Sequence, residues 1–327
     1  MKRRQLIGAL GAAACAAAIP TLAQQPAKVW RIGFLAPYSR SSSQGRADAF
    51  LQGLRELGYV EGKNIAIEWR FTDGDYRRIP GLAAELVREK VDIIVASGTV
   101  PTRALQQATN TIPIVAVAVG DPVGAGFAAS LARPGGNITG FSIISPDIMP
   151  KRLELLMAIA PKIKNIGVLG NTGTSNYPRN LKSVQAAGQK AGVNIRPFTA
   201  STLEEIERGF DTMTKERIRA AIIFPDAFFI QETTRIAELA TKHRLATMSA
   251  YRATVVAGGL MSYGPDDTEP HRRGAIYVDK ILKGAKPGEL PFEQPTTFHL
   301  VINGKTAKSL GLKISQELLL RADEVIE

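Results

Sequence analysis

Apolar residues alternate between two patterns along most of this chain. Arg31-Ile32-Gly33-Phe34-Leu35 is a short, nearly continuous apolar run stopped by Pro37, as in a buried strand. Ala47, Phe50, Leu51, Leu54 and Leu57 then recur at helical spacing, and Gly58 supplies a stop. The alternation goes on to predict a strand at 65–69, a helix carrying Leu82, Leu86 and Val87, a strand at 92–96, a short helix from Thr102 and a strand at 113–119. Strands alternating with helices imply a parallel sheet covered on both faces.

The same order then returns. Strands are predicted at 165–169, 194–196, 221–224 and 246–249, with helices at 181–191, 203–215 and 233–243 between them. A helix ending at Gly58 before Asn64-Ile65 is echoed by one ending at Gly192 before Asn194-Ile195. Ile32 and Ile166, Ile65 and Ile195, Ile93 and Ile222 are each about 130 residues apart, so one βα design occurs twice.

Three extended stretches lie outside the repeat. Arg133-Pro134-Gly135-Gly136-Asn137 is a turn cluster leading to strand-like 138–144; 258–263 is the second stretch, and 291–301 holds the last predicted strand before a short tail. A helix at about 270–282, ending at Gly284, separates the last two. The expected fold class is α/β, two Rossmann-like lobes with parallel sheets joined by a three-stretch hinge. The chain would leave lobe one near Phe141, return near Gly264 and leave again near Phe292. Lobe one is then 28–143 plus 265–291, and lobe two 144–264 plus 292–327.

The amino terminus changes the setting. Lys2, Arg3 and Arg4 precede an apolar segment at 6–18, Pro20, and the small-residue sequence Thr21-Leu22-Ala23. This is the order of a secretory leader covering 1–23, removed near Ala23, and its apolar part is too short for a permanent span. Arg3-Arg4-Gln5-Leu6-Ile7 fits a twin-arginine signal and an ordinary leader equally well. Cys15, the only cysteine, stands in this leader within a poor lipobox, so the mature chain has no thiol for catalysis, disulfides or metal. The net charge of +11 falls to +8 without Lys2, Arg3 and Arg4, and it is spread along the chain. No basic stripe interleaved with aromatics points to nucleic acid. A periplasmic location is expected.

Motifs suggesting chemistry dissolve on inspection. Gly124-Ala125-Gly126-Phe127-Ala128-Ala129 matches a dinucleotide fingerprint, with Asp147 downstream, but Pro134-Gly135-Gly136 stops any helix after barely two turns; small residues packing a short helix is the expectation. Gly304-Lys305-Thr306 resembles the end of a phosphate loop, yet His299 stands where its first glycine belongs. His243, His271 and His299 lack metal-ligand spacing, and no serine elbow is present. The chain is therefore expected to be no enzyme and to carry no cofactor or metal.

Several phrases carry a resemblance: Phe50-Leu51-Gln52-Gly53-Leu54-Arg55-Glu56-Leu57-Gly58-Tyr59, Gly120-Asp121-Pro122-Val123-Gly124, Ser130-Leu131-Ala132-Arg133-Pro134-Gly135-Gly136-Asn137-Ile138-Thr139-Gly140 and Gly258-Gly259-Leu260-Met261-Ser262-Tyr263-Gly264. With them the chain resembles, over essentially its whole mature length, the periplasmic solute-binding proteins of ABC transporters with the type I fold, in the branch that includes tryptophan receptors. The resemblance implies a monomeric receptor that delivers a small-molecule solute to a membrane permease driven by a cytoplasmic ATPase. An exported sensor subunit of the same fold and an exported α/β enzyme are the competing readings.

Ligands of open parallel sheets sit beyond the carboxyl ends of the strands. That rule selects Tyr38, Ser39, Ser97, Gly98, Thr99, Gly120 and Asp121 in lobe one, and Asn171, Asp226, Phe228 and Tyr251 in lobe two. The hydroxyls of Ser97 and Thr99 are expected to hold a carboxylate at a helix start. Asp121 either receives an ammonium group or is a helix N-cap with Pro122 at the first helical position. Tyr38, Phe228 and Tyr251 would stack on an apolar or aromatic side chain, which suits an amino-acid-like solute.

Overall fold

The computed structural model describes residues 28–143, 146–174 and 176–327; the expected leader and Cys15 lie outside them. In chain order the elements are β1 (Trp30–Ala36), α1 (Gln44–Glu56), β2 (Ile65–Phe71), α2 (Ile79–Arg88), β3 (Ile93–Ser97), α3 (Thr99–Ala108), β4 (Ile114–Val119) and β5 (Ile138–Ser142). They continue with α4 (Met149–Ile159), β6 (Asn165–Gly170), α5 (Tyr177–Ala191), β7 (Asn194–Thr199), α6 (Leu203–Lys215), β8 (Ala220–Ile223), α7 (Ala227–Gln231), α8 (Thr233–Lys242), β9 (Ala246–Ser249) and α9 (Arg252–Val256). The last are β10 (Met261–Gly264), α10 (Glu269–Leu282), β11 (His299–Asn303), α11 (Gly304–Ser309), α12 (Gln316–Arg321) and β12 (Glu324–Ile326).

Two sheets form among the described residues, ordered β2-β1-β3-β4-β5 and β12-β11-β10-β9-β8-β6-β7. All neighbours pair in parallel except β10 with β11. The duplicated design is visible in the order: β1 lies between β2 and β3 as β6 lies between β7 and β8. Successive strand residues serve opposite faces. Phe34 joins Phe50 and Tyr277 beneath α1 and α10, while Leu35 joins Ile79, Leu86 and Leu105 beneath α2 and α3. Val168 and Leu169 divide the second lobe in the same way. Although it follows β10 in the chain, α10 packs on α1, so closely that a β-carbon on Gly53 would lie 2.3 Å from the Arg272 carbonyl oxygen.

Four details depart from the sequence reading. Helix α3 begins at Thr99, not Thr102, because Pro101 fits the first turn of a helix, where its missing N–H costs nothing. Residues 122–129 form turns without a helix, with Ala125, Phe127 and Ala128 buried in the core of lobe one. Helix α4 has Leu153, Leu155, Leu156 and Ile159 buried around its circumference, and so has no clear polar face to read. The strand in 291–301 is not the last, since β12 pairs beyond it, Val301 opposite Glu324. In addition, Phe292 is buried in the core of lobe one and Glu293 bridges to Phe141, so the third crossing follows Glu293.

One bulge shapes the site. The β4–β5 register shifts between Ala116 and Val119, and Ala118 takes a left-handed φ of 59°. Opposite, Gly140 has φ +145°, and a β-carbon there would sit 1.9 Å from the Ala116 carbonyl oxygen. Gly140→Ala should therefore cost about 3 kcal/mol or more of stability, read as a lower denaturation midpoint. An unchanged midpoint would mean that the bulge yields freely.

Candidate functional site

The ends of strands from both sheets meet around one cavity of about 750 Å³, part of it open to solvent. Lobe one contributes Tyr38 beyond β1, Tyr76 beyond β2, Ser97, Gly98 and Thr99 at the β3–α3 junction, and Ala118 from the bulge. Lobe two contributes Thr174 and Asn176 beyond β6, Asp226 beyond β8 and Tyr251 beyond β9. The crossing after β10 adds Asp266 and Asp267, and α10 adds His271.

The lobes touch at the rim. Gln231 Oε1 of α7 accepts from the Ser39 N–H at 2.9 Å and from the Ser42 hydroxyl at 3.0 Å. The Phe228 N–H donates to the Tyr76 hydroxyl at 2.9 Å. Arg179 of α5 pairs with Asp121, and the Asn176 amide occupies the place a side chain on Gly120 would need. The cleft is closed.

Charge inside is lopsided. Among the described residues lining the cavity, Arg46 is the only cation, against Asp226, Asp266 and Asp267. Arg46 ion-pairs with Asp267 and lies over the Tyr38 ring. Asp226 is 6% exposed and has no ion partner among the described residues. Its Oδ1 accepts from the Asn171 amide at 3.3 Å and the Phe228 N–H at 3.0 Å, while Oδ2 has no hydrogen-bond partner. Burial pushes its pKa up to about 6, against the Asn171 amide, the Phe228 and Phe229 N–H groups and the nearby Tyr76 hydroxyl. Burial also raises the Tyr38, Tyr76 and Tyr251 hydroxyls and, with the Arg46 charge, lowers His271 to about 3. All three phenols and the imidazole are thus neutral near pH 7. Just behind Tyr251, Arg152 is buried with Nη1 unpartnered, and burial lowers its pKa to about 10.

Of the residues selected from sequence, Tyr38, Ser97, Gly98, Thr99, Asp226 and Tyr251 line the cavity together. The other five do not. Ser39 is spent on the Gln231 contact. Gly120 and Asp121 line a smaller neighbouring pocket, where Asp121 accepts from the Gly124 N–H at 2.9 Å and pairs with Arg179; it caps a turn, not a helix, and latches the rim. Asn171 stands behind Asp226. The Phe228 ring is in the core of lobe two, so it cannot stack on a solute, although its N–H orients Asp226. Sequence reasoning missed Arg46, Tyr76, Asn176, Asp267 and His271. Arg46 and His271 come from helices, Tyr76 opens a short 3-10 helix and Asn176 caps α5, and none of these directly follows a strand end. No group of side chains among the described residues could hold a metal ion.

The sequence profile described as ABC transporter substrate binding protein matches residues 31–326. The chain belongs to that family. It is 28% identical over 279 residues to a tyrosine-binding protein of Clostridioides difficile, covering 84% of this chain and 80% of the relative. A Streptococcus pneumoniae domain solved in complex with L-Trp matches with TM-score 0.85 at 28% identity, over 91% of this chain and all of that one. A ligand-free, open substrate-binding protein from Clostridium difficile covers the same share of this chain at 26% identity but with TM-score 0.66. At near-equal identity the ligand complex fits better than the open form, as the rim contacts require. The fold is that of type I periplasmic binding proteins, and the chain is a solute receptor of the ABC transporter kind. Proteins of this family capture small solutes outside the cytoplasm and hand them to membrane permeases.

Proposed function

We propose that the solute is an α-amino acid with an aromatic side chain. The observation that carries this is Asp226: a buried carboxylate with a free oxygen, no ion partner among the described residues, and a net negative lining around it. Such a group calls for a cation from the solute, because an uncompensated buried charge is costly. The complementary group is Thr99, on lobe one. Its oxygen already accepts from the Gly120 N–H at 3.2 Å, so its own proton is free to donate to a carboxylate. The amides of Thr99 and Val100 add to it, since the first N–H groups of a helix lack internal partners and Pro101 has none. Tyr38, Tyr76 and Tyr251 supply rings for the side chain, with Ser97 and Gly98 beside them. Tyrosine and tryptophan named with the relatives are in keeping with this.

The working unit in this reading is a monomer in the periplasm, its leader 1–23 removed, with lobes 28–143 plus 265–293 and 144–264 plus 294–327. It turns nothing over and serves a permease driven by a cytoplasmic ATPase. A thermal-shift screen of amino acids, sugars and carboxylic acids tests the solute class. L-tryptophan or L-tyrosine should raise the melting temperature, with calorimetry giving one site per chain. Stabilisation by a sugar or a dicarboxylate alone would sink the proposal.

A further inference from the structure

The two hydroxyls at the tip of β3 do not have the same hydrogen-bond character. His271 Nδ1 lies 3.1 Å from the Asp267 backbone carbonyl oxygen, which can only accept. Nδ1 must therefore carry the ring proton, and in the neutral ring Nε2 is then a bare acceptor. Ser97 Oγ is 2.9 Å from that Nε2, so Ser97 is the donor of the pair. With its only proton spent, Ser97 can receive one from the Tyr38 hydroxyl, which lies against it. The relay has one direction: Tyr38 to Ser97 to His271 to the Asp267 carbonyl. Ser97 is left with one lone pair and no proton. Thr99 is the reverse case, its oxygen engaged by the Gly120 N–H and its proton free.

We infer that Ser97 and Thr99 read the two charged groups on the α-carbon of the solute separately: Ser97 accepts from an N–H donor of its ammonium group, while Thr99 donates to its carboxylate. This rests on the amino-acid reading above and revises the sequence expectation that both hydroxyls hold the carboxylate. His271 touches no solute in this scheme. It is a positioning residue that fixes which way the Ser97 proton points, and so makes the Ser97 oxygen selective for a donor. A serine free to rotate would satisfy a carboxylate equally well.

Apart from the face it turns to the cavity, the relay is buried. Facing His271 are Tyr38 beyond β1, Arg46 of α1, Ser97 of β3, the Phe34 ring 6.5 Å away, and Asp267 before α10. The Arg46 charge and burial both oppose a second proton on the ring. The direction of the relay therefore holds across the pH range in which a histidine ordinarily titrates.

Two measurements test the inference, and the first needs no ligand. Imidazole 15N spectra of the full chain, assigned by comparison with His271→Gln, should show His271 protonated at Nδ1 and bare at Nε2 between about pH 5 and 8. A proton on Nε2, or titration in that range, overturns the relay. The second compares Ser97→Ala with wild type by calorimetry on L-tryptophan, tryptamine and indole-3-propionate. Affinity for the two amines should fall about tenfold or more, the usual cost of a hydrogen bond to a charged group, with the amine-free acid affected less than twofold. Losses confined to the two carboxylates would place Ser97 on the carboxylate, losses equal for all three would place it on neither charged group, and either result overturns the assignment. If no aromatic amino acid or indole compound binds, the amino-acid reading fails, and the spectra still decide the direction of the relay.

Discussion

Asp226→Asn should abolish binding of an amino-acid solute, with affinity falling about 100-fold or more, while raising the melting temperature of the empty protein at pH 7.5. Both effects have one cause. In the closed cleft the carboxylate has an unpartnered oxygen and no ion pair among the described residues, and its pKa rises from 3.8 to about 6. Holding it ionised near neutral pH costs the empty fold about 3 kcal/mol, since each tenfold change in a proton's affinity is worth about 1.4 kcal/mol. The sign follows from the raised value. This stability is fully present below the ordinary carboxylate pKa and is lost as pH rises through about 6. Asparagine keeps the acceptor oxygen for the Asn171 amide and the Phe228 N–H and never ionises. The variant should accordingly melt higher than wild type at pH 7.5 and much like it at pH 4.

Binding runs the other way. A cationic solute needs the carboxylate ionised, so wild-type affinity should drop about tenfold between pH 7.5 and pH 5, where roughly a tenth of a group with pKa 6 is charged. Proton release on binding, measured by calorimetry in two buffers at pH 6, checks the linkage directly. Binding insensitive to pH from 5 to 7.5 would remove Asp226 from the ammonium site. These experiments also separate Asp226 from Ser97. The carboxylate contributes charge and pH dependence, whereas the serine contributes direction without either.

The fold was legible because buried parallel strands are apolar almost throughout, and because glycines mark the helix ends. Gly58, Gly192 and Gly284 all adopt the positive φ that their positions after helices suggested. What escaped had no such signal. Helix α4 is buried around its circumference, and β12 is three residues long and defined only by its partner β11. The candidate site divides along the same line. Strand tips were reachable from the rule that ligands lie beyond them, and Ser97, Thr99, Asp226 and Tyr251 do line the cavity. Arg46 precedes the apolar spacing of Ala47, Phe50, Leu51 and Leu54 in α1, and His271 is followed by Arg272 and Arg273, so neither carries a signal for the interior. Only the packing of α10 on α1 brings both under the tip of β3. Phe228 shows the opposite error. Being next to a strand tip gave its backbone a role, and its ring went into the core.

Closure itself is tested by Gly120→Leu. The closed form places the Asn176 amide nitrogen 1.4 Å from where a β-carbon on Gly120 would lie. Asn176 belongs to lobe two and Gly120 to lobe one, so the collision falls between lobes and not within a core. Alanine could be met by turning the asparagine aside; leucine fills more volume than that movement frees. The rim contacts of Gln231 with Ser39 and of Arg179 with Asp121 would then be lost together, because all of them need the same approach of the lobes. Forcing atoms into a packed contact costs about 1–3 kcal/mol, so affinity for L-tryptophan should fall about 10- to 100-fold. The empty variant should melt within a few degrees of wild type, since neither lobe core is touched. Small-angle scattering gives the distinguishing result: at saturating solute wild type has the compact closed form, and the variant stays open. A variant that still closed and bound normally would mean that the lobes can close without seating Asn176 against Gly120, and the rim would no longer be the place where capture is completed.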